Sequence, residues 1–388
     1  MRTIDLKRRC ACCNDNKGEL LFEVNFYDEN EYLPHHYNIV CCNSCGFTFA
    51  DSEASQDDYN RYYANCDEYA EDDSVKLGNL ISGTTYEAIG KKIASFVKKD
   101  ASIIDVGCGS GLLLALLKEY GFLRLTGFDP SIEAVSVLAK RGIEGRVGNI
   151  FENRDICQKY DLILSTCVIE HIFDLNSYIE NLKSFMHAKS ILFLALPAVE
   201  GFPDFICPRP NYFNQEHINY FTIGSLDNLM GKHNLRRIND DCFFIYNKEK
   251  YSFVIYEMSD EEKKIKKDEK SKEYINLYLD REREKTKYTR ELINRIITEE
   301  KQIVVWGTGQ FIKQILSDTP HLIEKIAFFI DNNGEKQGKT IGGKLVWGAE
   351  HLYEHQDKEI VVASMLHFEM IKKQIVHMGL KNKITSLV

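Results

Sequence analysis

A chain of 388 residues is longer than one hydrophobic core comfortably fills, so two or three domains are expected. Its formal net charge of −9 excludes a general affinity for nucleic acid or anionic membrane, both of which need a positive face. No apolar run approaches the ~20 residues of a membrane helix, and MRTIDLKRRC lacks the apolar stretch of a signal peptide. The expectation is a soluble, cytoplasmic protein, monomeric or a small homo-oligomer, whose twelve cysteines are thiols or metal ligands and not disulfides.

Residues 1–60 are rich in cysteine and aromatics, with short alternating stretches such as LLFEVNFYD (20–28) and YNIVCC (37–42) that predict a few strands. Cys10 and Cys13 form one CxxC and Cys42 and Cys45 a second, followed by Gly46. Four thiolates so paired predict a closed, tetrahedral structural zinc site that folds a module too small to stand alone. Cys12, Cys41, His35 and His36 are neighbours able to substitute as ligands.

Residues 61–258 alternate strand-like and helix-like segments: SIIDVG, LLLALLKEYG, RLTGFDP, IEAVSVLAKRG, DLILSTCV and ILFLALP. This alternation predicts an α/β fold with a doubly wound parallel sheet, closed by an antiparallel hairpin from RRINDDCFFIY and YSFVIYEM. Residues 259–301 are mostly charged and read as a solvated helical linker. From 302 to 388 the pattern restarts (QIVVWGTG, FIKQILSD, IAFFIDNN, EIVVASM), predicting a C-terminal Rossmann-like α/β domain.

The most informative stretch is IIDVGCGSG (103–111). A strand ends at Asp105, and Gly107, Gly109 and Gly111 precede a helix, so backbone can pass close under a ligand at a helix N-terminus. The spacing is not the GxGxxG of a dinucleotide site. It resembles motif I of the class I S-adenosylmethionine-dependent methyltransferases. That resemblance implies cofactor contacts from Asp105 and the three glycines, from Asp129 and Pro130 at the end of the next strand (ribose hydroxyls), and from Asn149 and Ile150 (adenine). DLILSTCVIEHI resembles the family's fourth-strand motif, which implies a structural or cofactor-adjacent role for Glu170-His171.

Residues 198–222 follow the strand ILFLALP and leave from the end of the sheet where ligands bind. Phe202, Phe205, Tyr212, Phe213, Tyr220 and Phe221 are expected to form a dry wall there. Within NYFNQEHINYFT, His217 is read as a general base whose basicity Glu216 raises; the alternative is a pair that caps the helix near Ser225 or stitches the loop. The order of parts, with a four-cysteine module, a Glu-His pair after the fifth strand and a C-terminal βα domain, resembles the sugar C-methyltransferases. These act on nucleotide-linked ketosugars in deoxysugar pathways through an enolate.

Where that family has a tyrosine two residues before the glutamate, this chain has Asn214, with Tyr212 or Tyr220 to fill the role. Its late Trp-Asn is replaced by Ser364 and Met365. O- or N-methylation of a sugar is therefore the alternative reading, and a scaffold in a polysaccharide pathway a more distant one. Tyr63, Tyr69 and Tyr220 are expected to flank the sugar, and Gly307, Gly309 and Asp331 to hold its nucleotide end.

Overall fold

The computed structural model describes residues 2–26, 31–64, 85–152, 158–204, 212–246, 249–261, 264–364 and 367–387. The chain divides into two units, Met1–Glu23 with Asn30–Phe205 and Gln215–Leu277, and Val24–Glu29 with Ile206–Asn214 and Tyr278–Val388. Among the described residues no helix is long and apolar enough to cross a membrane.

The N-terminal region folds as antiparallel strands β1 (Arg2–Asp5), β2 (Lys17–Asn25), β3 (His36–Cys42) and β4 (Thr48–Asp51), followed by helix α1 (Gln56–Ala64). The turns between strands carry the cysteine pairs, and Val40, Phe47 and Phe49 are fully buried beside them.

The alternation read from the sequence then forms α2 (Thr85–Phe96), β5 (Ser102–Val106), α3 (Leu112–Glu119), β6 (Arg124–Asp129), α4 (Ile132–Lys140) and β7 (Glu144–Val147). It continues through β8 (Tyr160–Thr166), α5 (Leu175–Ser184), β9 (Met186–Pro197), β10 (Asn219–Tyr220), α6 (Ile223–Lys232), β11 (Leu235–Arg237), β12 (Phe243–Tyr246) and β13 (Glu249–Met258). The sheet order is β11-β13-β9-β8-β5-β6-β7, with β12 on β13. Strands β5 to β9 run parallel and β13 antiparallel to β9, the doubly wound sheet with an antiparallel late strand expected. Strand order reverses between β6 and β8 on either side of β5, which opens a crevice at the carboxyl ends of these strands.

β10 does not join this sheet. It pairs with β4, Asn219 opposite Phe49 and Tyr220 opposite Thr48, as the fifth strand of the N-terminal sheet. Two residues are too few for a strand to be legible by periodicity.

Helix α7 (Glu269–Thr298) covers the segment read as a solvated linker. It is not solvated throughout: Leu292, Ile293 and Ile296 are buried in the core of the second unit, and Arg295 pairs with Glu359 at 2.7 Å. Apolar residues spaced three and four apart within the charge-rich run make this buried stripe.

The second unit continues with β14 (Ile303–Trp306), α8 (Gln310–Asp318), α9 (Leu322–Lys325), β15 (Ile326–Ile330), β16 (Thr340–Ile341), β17 (Lys344–Trp347), β18 (Glu359–Val362), α10 (Phe368–His377) and β19 (Ile384–Ser386). β17, β15, β14, β18 and β19 are parallel neighbours, and β16 forms a hairpin with β17.

Candidate active site

A cavity of about 480 Å³ opens at the carboxyl ends of β5, β6 and β8. Gly107, Gly109, Asp129, Pro130, Asn149 and Ile150 line it, whereas Asp105 and Gly111 do not. Gly107, Gly109 and Gly111 have φ of 79°, 50° and 75°, left-handed values that explain why the loop is written in glycine. Asp129 accepts from the Gly109 amide at 2.8 Å and from the Ser131 amide at 2.9 Å, so the end of β6 fixes the loop after β5. Burial raises the Asp129 carboxyl, and those two amides oppose the rise.

Asp105 is 1% exposed. Burial first, and then the neighbouring Asp129, push it up to about 7. Asn149 accepts from the Phe151 amide at 3.0 Å, which shapes the turn after β7.

A cofactor with an adenosine and an amino acid end fits this wall on two observations. A Cβ built on Gly109 meets nothing within 4 Å, so the loop faces open space there. Behind it, Asp129 offers carboxylate oxygens at a strand end beside the same space.

The opposite wall carries both Glu-His pairs. His171 and His217 meet edge to face, ring centroids 4.7 Å apart, and Glu170 completes a group whose ligand atoms lie within 4.8 Å of one another. Tyr63 meets His171 Nδ1 at 2.8 Å, whereas Tyr62 donates to Glu216 at 2.7 Å. Sequence reasoning paired His217 with Glu216; the fold instead groups His217 with Glu170 and His171 and gives Glu216 to Tyr62. The expected rise in His217 basicity is also overturned, since burial lowers it to about 4. The repeated Glu-His dipeptide was the available signal for this meeting, and Tyr62 had none.

The loop reaches this wall because several elements hold it. The Ile218 amide donates to the Glu170 carbonyl at 2.9 Å, and Asn219 donates to the carbonyls of Ile169 and Ile172 at 3.0 and 2.7 Å. Arg8, 6% exposed, donates to the carbonyls of Ile172 and Phe173 and to Asn219 Oδ1. Helix α6 is capped by Thr222 with Ser225, so the Glu-His pair is not its cap.

The expected aromatic wall packs inward. Tyr220 is 2% exposed, donates to the His217 carbonyl at 2.6 Å and does not line the cavity. Phe221 stacks on Phe47, and Phe202 is buried. β10 takes this segment into the N-terminal sheet, which turns its rings to the interior. Tyr212 and Asn214 belong to the second unit, where Tyr212 packs on Tyr278. Tyr69, Phe205 and Met365 lie outside the described residues.

In the second unit, Gly307 and Gly309 flank Thr308 between β14 and α8. Asp331 at the end of β15 accepts from the Thr308 amide at 3.1 Å and from its hydroxyl. In the N-terminal sheet the four expected cysteines cluster, with Sγ–Sγ distances of 3.4 Å for Cys10–Cys45 and for Cys13–Cys42. A tetrahedral zinc about 2.3 Å from each sulfur needs separations of about 3.8 Å, so the group fits the ion with small outward movements. Cys12 and Cys41 turn to the carbonyls of Ser225 and Gly46.

Residues 83–239 match the family model of a methyltransferase domain, and residues 299–385 match one described as C2185-like, N-terminal. Residues 83–239 are a methyltransferase domain. The chain is 28% identical over 114 residues to the ribosomal protein L11 methyltransferase of Dictyoglomus turgidum, 28% of this chain and 38% of that one. It is 30% identical over 113 residues to the malonyl-(acyl-carrier protein) O-methyltransferase of Priestia megaterium, 28% of this chain and 41% of that one. The chain thus spans about two fifths of the length of these relatives. Among solved structures, the Burkholderia thailandensis 1,6-didemethyltoxoflavin-N1-methyltransferase with bound S-adenosylhomocysteine aligns over 61% of this chain and all of that one, at 12% identity and a TM-score of 0.42.

Proposed function

We propose that this protein transfers a methyl group from S-adenosylmethionine to a nucleotide-linked sugar, and that the acceptor is a carbon beside a ketone. The observation that carries the reading is that one cavity joins the glycine loop and Asp129 to His217. When bound, the cofactor supplies an electrophilic methyl group. His217 would take the proton from the acceptor carbon, and the electron pair released there would form the new bond to the methyl carbon as the methyl–sulfur bond breaks and its pair stays on the sulfur of the departing S-adenosylhomocysteine. Burial lowers His217 to about 4, so the imidazole is neutral at pH 7 and able to accept a proton, but as a weaker base than an ordinary histidine. Tyr62 and Asn219 hold the loop that presents it.

In this reading Cys10, Cys13, Cys42 and Cys45 hold a structural zinc ion, and Gly307, Gly309 and Asp331 of the C-terminal domain bind a nucleotide. Residues 1–60, 61–258 and 302–388 are the working modules. The test is methyl transfer to a panel of nucleotide sugars, with and without a 4-keto group, followed by mass spectrometry in deuterated water. A methylated product from ketosugars alone, with deuterium wash-in that vanishes in His217→Asn, supports the enolate route. Transfer to sugars lacking a ketone refutes it and leaves His217 as base for a hydroxyl or amine.

A further inference from the structure

Glu170 poses a physical problem that methyl transfer does not answer. It is 3% exposed, and neither carboxylate oxygen has a hydrogen-bond partner. A buried carboxyl group in that state is costly unless something pairs with it. Two imidazoles lie beside it: His171 Nε2 stands 3.9 Å from Glu170 Oε1, and His217 lies against His171.

One carboxylate and two neutral imidazoles, converging within 4.8 Å on the wall of a cavity, form the N₂O donor set that first-row divalent metals favour. Tyr63 adds a second, independent feature. Its hydroxyl engages His171 Nδ1 at 2.8 Å and fixes the ring with Nε2 3.9 Å from Glu170 Oε1, as an outer partner does for a metal-bound histidine; the ring also donates to the Glu216 backbone carbonyl, a bond the ion would replace.

We infer that Glu170, His171 and His217 bind a divalent first-row transition-metal ion, with Tyr63 orienting His171. Ligand bonds of about 2.1 Å require the three donor atoms to close by about an ångström, within reach of side-chain rotation. On binding, the ion displaces the proton that burial holds on Glu170 and pairs with the carboxylate so formed. A metal-bound His217 takes no proton, so occupancy of this site and the action of His217 as a base exclude one another. The inference concerns what three side chains bind, and its readout needs no turnover.

The probe is Co²⁺ added to the full-length chain after chelation. Substitutions His351→Asn and His355→Asn are made first, because His351, Glu354 and His355 form another group able to take up metal. Cobalt in the four-cysteine site adds sulfur-to-metal absorption; cobalt at an N₂O site does not. The expected result is two Co²⁺ per chain, the second without added sulfur absorption. Glu170→Gln and His171→Asn each weaken that second ion at least tenfold, and Tyr63→Phe weakens it about tenfold.

Circular dichroism and urea unfolding identify variants that remain folded, and S-adenosylhomocysteine binding is measured in parallel. Uptake of a single Co²⁺, or a second ion of unchanged affinity in folded Glu170→Gln and His171→Asn, overturns the proposal. Failure of the unsubstituted chain to bind S-adenosylhomocysteine sinks the methyl-transfer reading and leaves the cobalt result standing.

Discussion

Substituting alanine at two glycines of the same loop should separate cofactor affinity from stability. Gly109 and Gly111 both have left-handed φ, 50° and 75°, so alanine at either costs about 1–2 kcal/mol of backbone strain. Their surroundings differ. A Cβ on Gly111 lies 2.1 Å from Leu138 Cδ2, a side chain with no exposed surface, and overpacking of that kind adds about 1–3 kcal/mol. A Cβ on Gly109 meets no protein atom within 4 Å and projects into the open space in front of the loop.

Gly111→Ala should therefore lose about 2–5 kcal/mol of stability, while Gly109→Ala loses about 1–2 kcal/mol and remains folded. If the cofactor lies over the loop, the added methyl in Gly109→Ala weakens S-adenosylhomocysteine at least tenfold, about 1.4 kcal/mol. Urea denaturation and titration calorimetry on the two variants make the comparison. Unchanged affinity in Gly109→Ala would refute the placement of the cofactor against that face.

Further outcomes are expected elsewhere. With the Asp105 carboxyl raised from 3.8 to about 7, the folded chain holds a proton that the unfolded chain releases in this window. Stability then falls as pH rises through it, by up to about 4 kcal/mol; Asp105→Asn should flatten that slope in urea titrations at pH 5 and 8, and an unchanged slope counts against the burial argument. Arg8→Met leaves the carbonyls of Ile172 and Phe173 without their donor, and should cost about 3–5 kcal/mol. It should also lower methyl transfer more than it lowers S-adenosylhomocysteine affinity, because Asn219 and the His217 loop move. Cys42→Ser should abolish zinc retention in metal analysis and abolish methyl transfer, with S-adenosylhomocysteine affinity reduced less than tenfold; full activity without zinc would sink the structural assignment of the cysteines.

What could be read from the sequence was what backbone geometry and ligand chemistry write locally. The left-handed loop demanded Gly107, Gly109 and Gly111, the strand pattern placed Asp129 at the end of β6, and the two CxxC pairs announced the cluster of four cysteines. The histidine wall was not legible, because it is assembled by non-local contacts. Glu170-His171 and Glu216-His217 meet only because β10 leaves the large sheet for β4, and that strand has two residues. The same departure turned Tyr220 and Phe221 inward, against the expectation that aromatics after β9 face the substrate. The buried stripe of α7 was hidden by its charged residues, whose side chains cover most of the helix.

The pairing of Asn219 and Tyr220 with β4 also constrains how such chains can be recombined. A strand edge and its partner must be inherited together: a chimera that exchanges residues 1–64 alone would present the His217 segment to an edge whose register, Phe49 to Asn219 and Thr48 to Tyr220, it did not evolve against. The exchangeable block is therefore discontinuous in sequence, residues 1–64 with 215–222. Grafts that respect it should keep the cavity wall, whereas cuts at the apparent domain boundary should not.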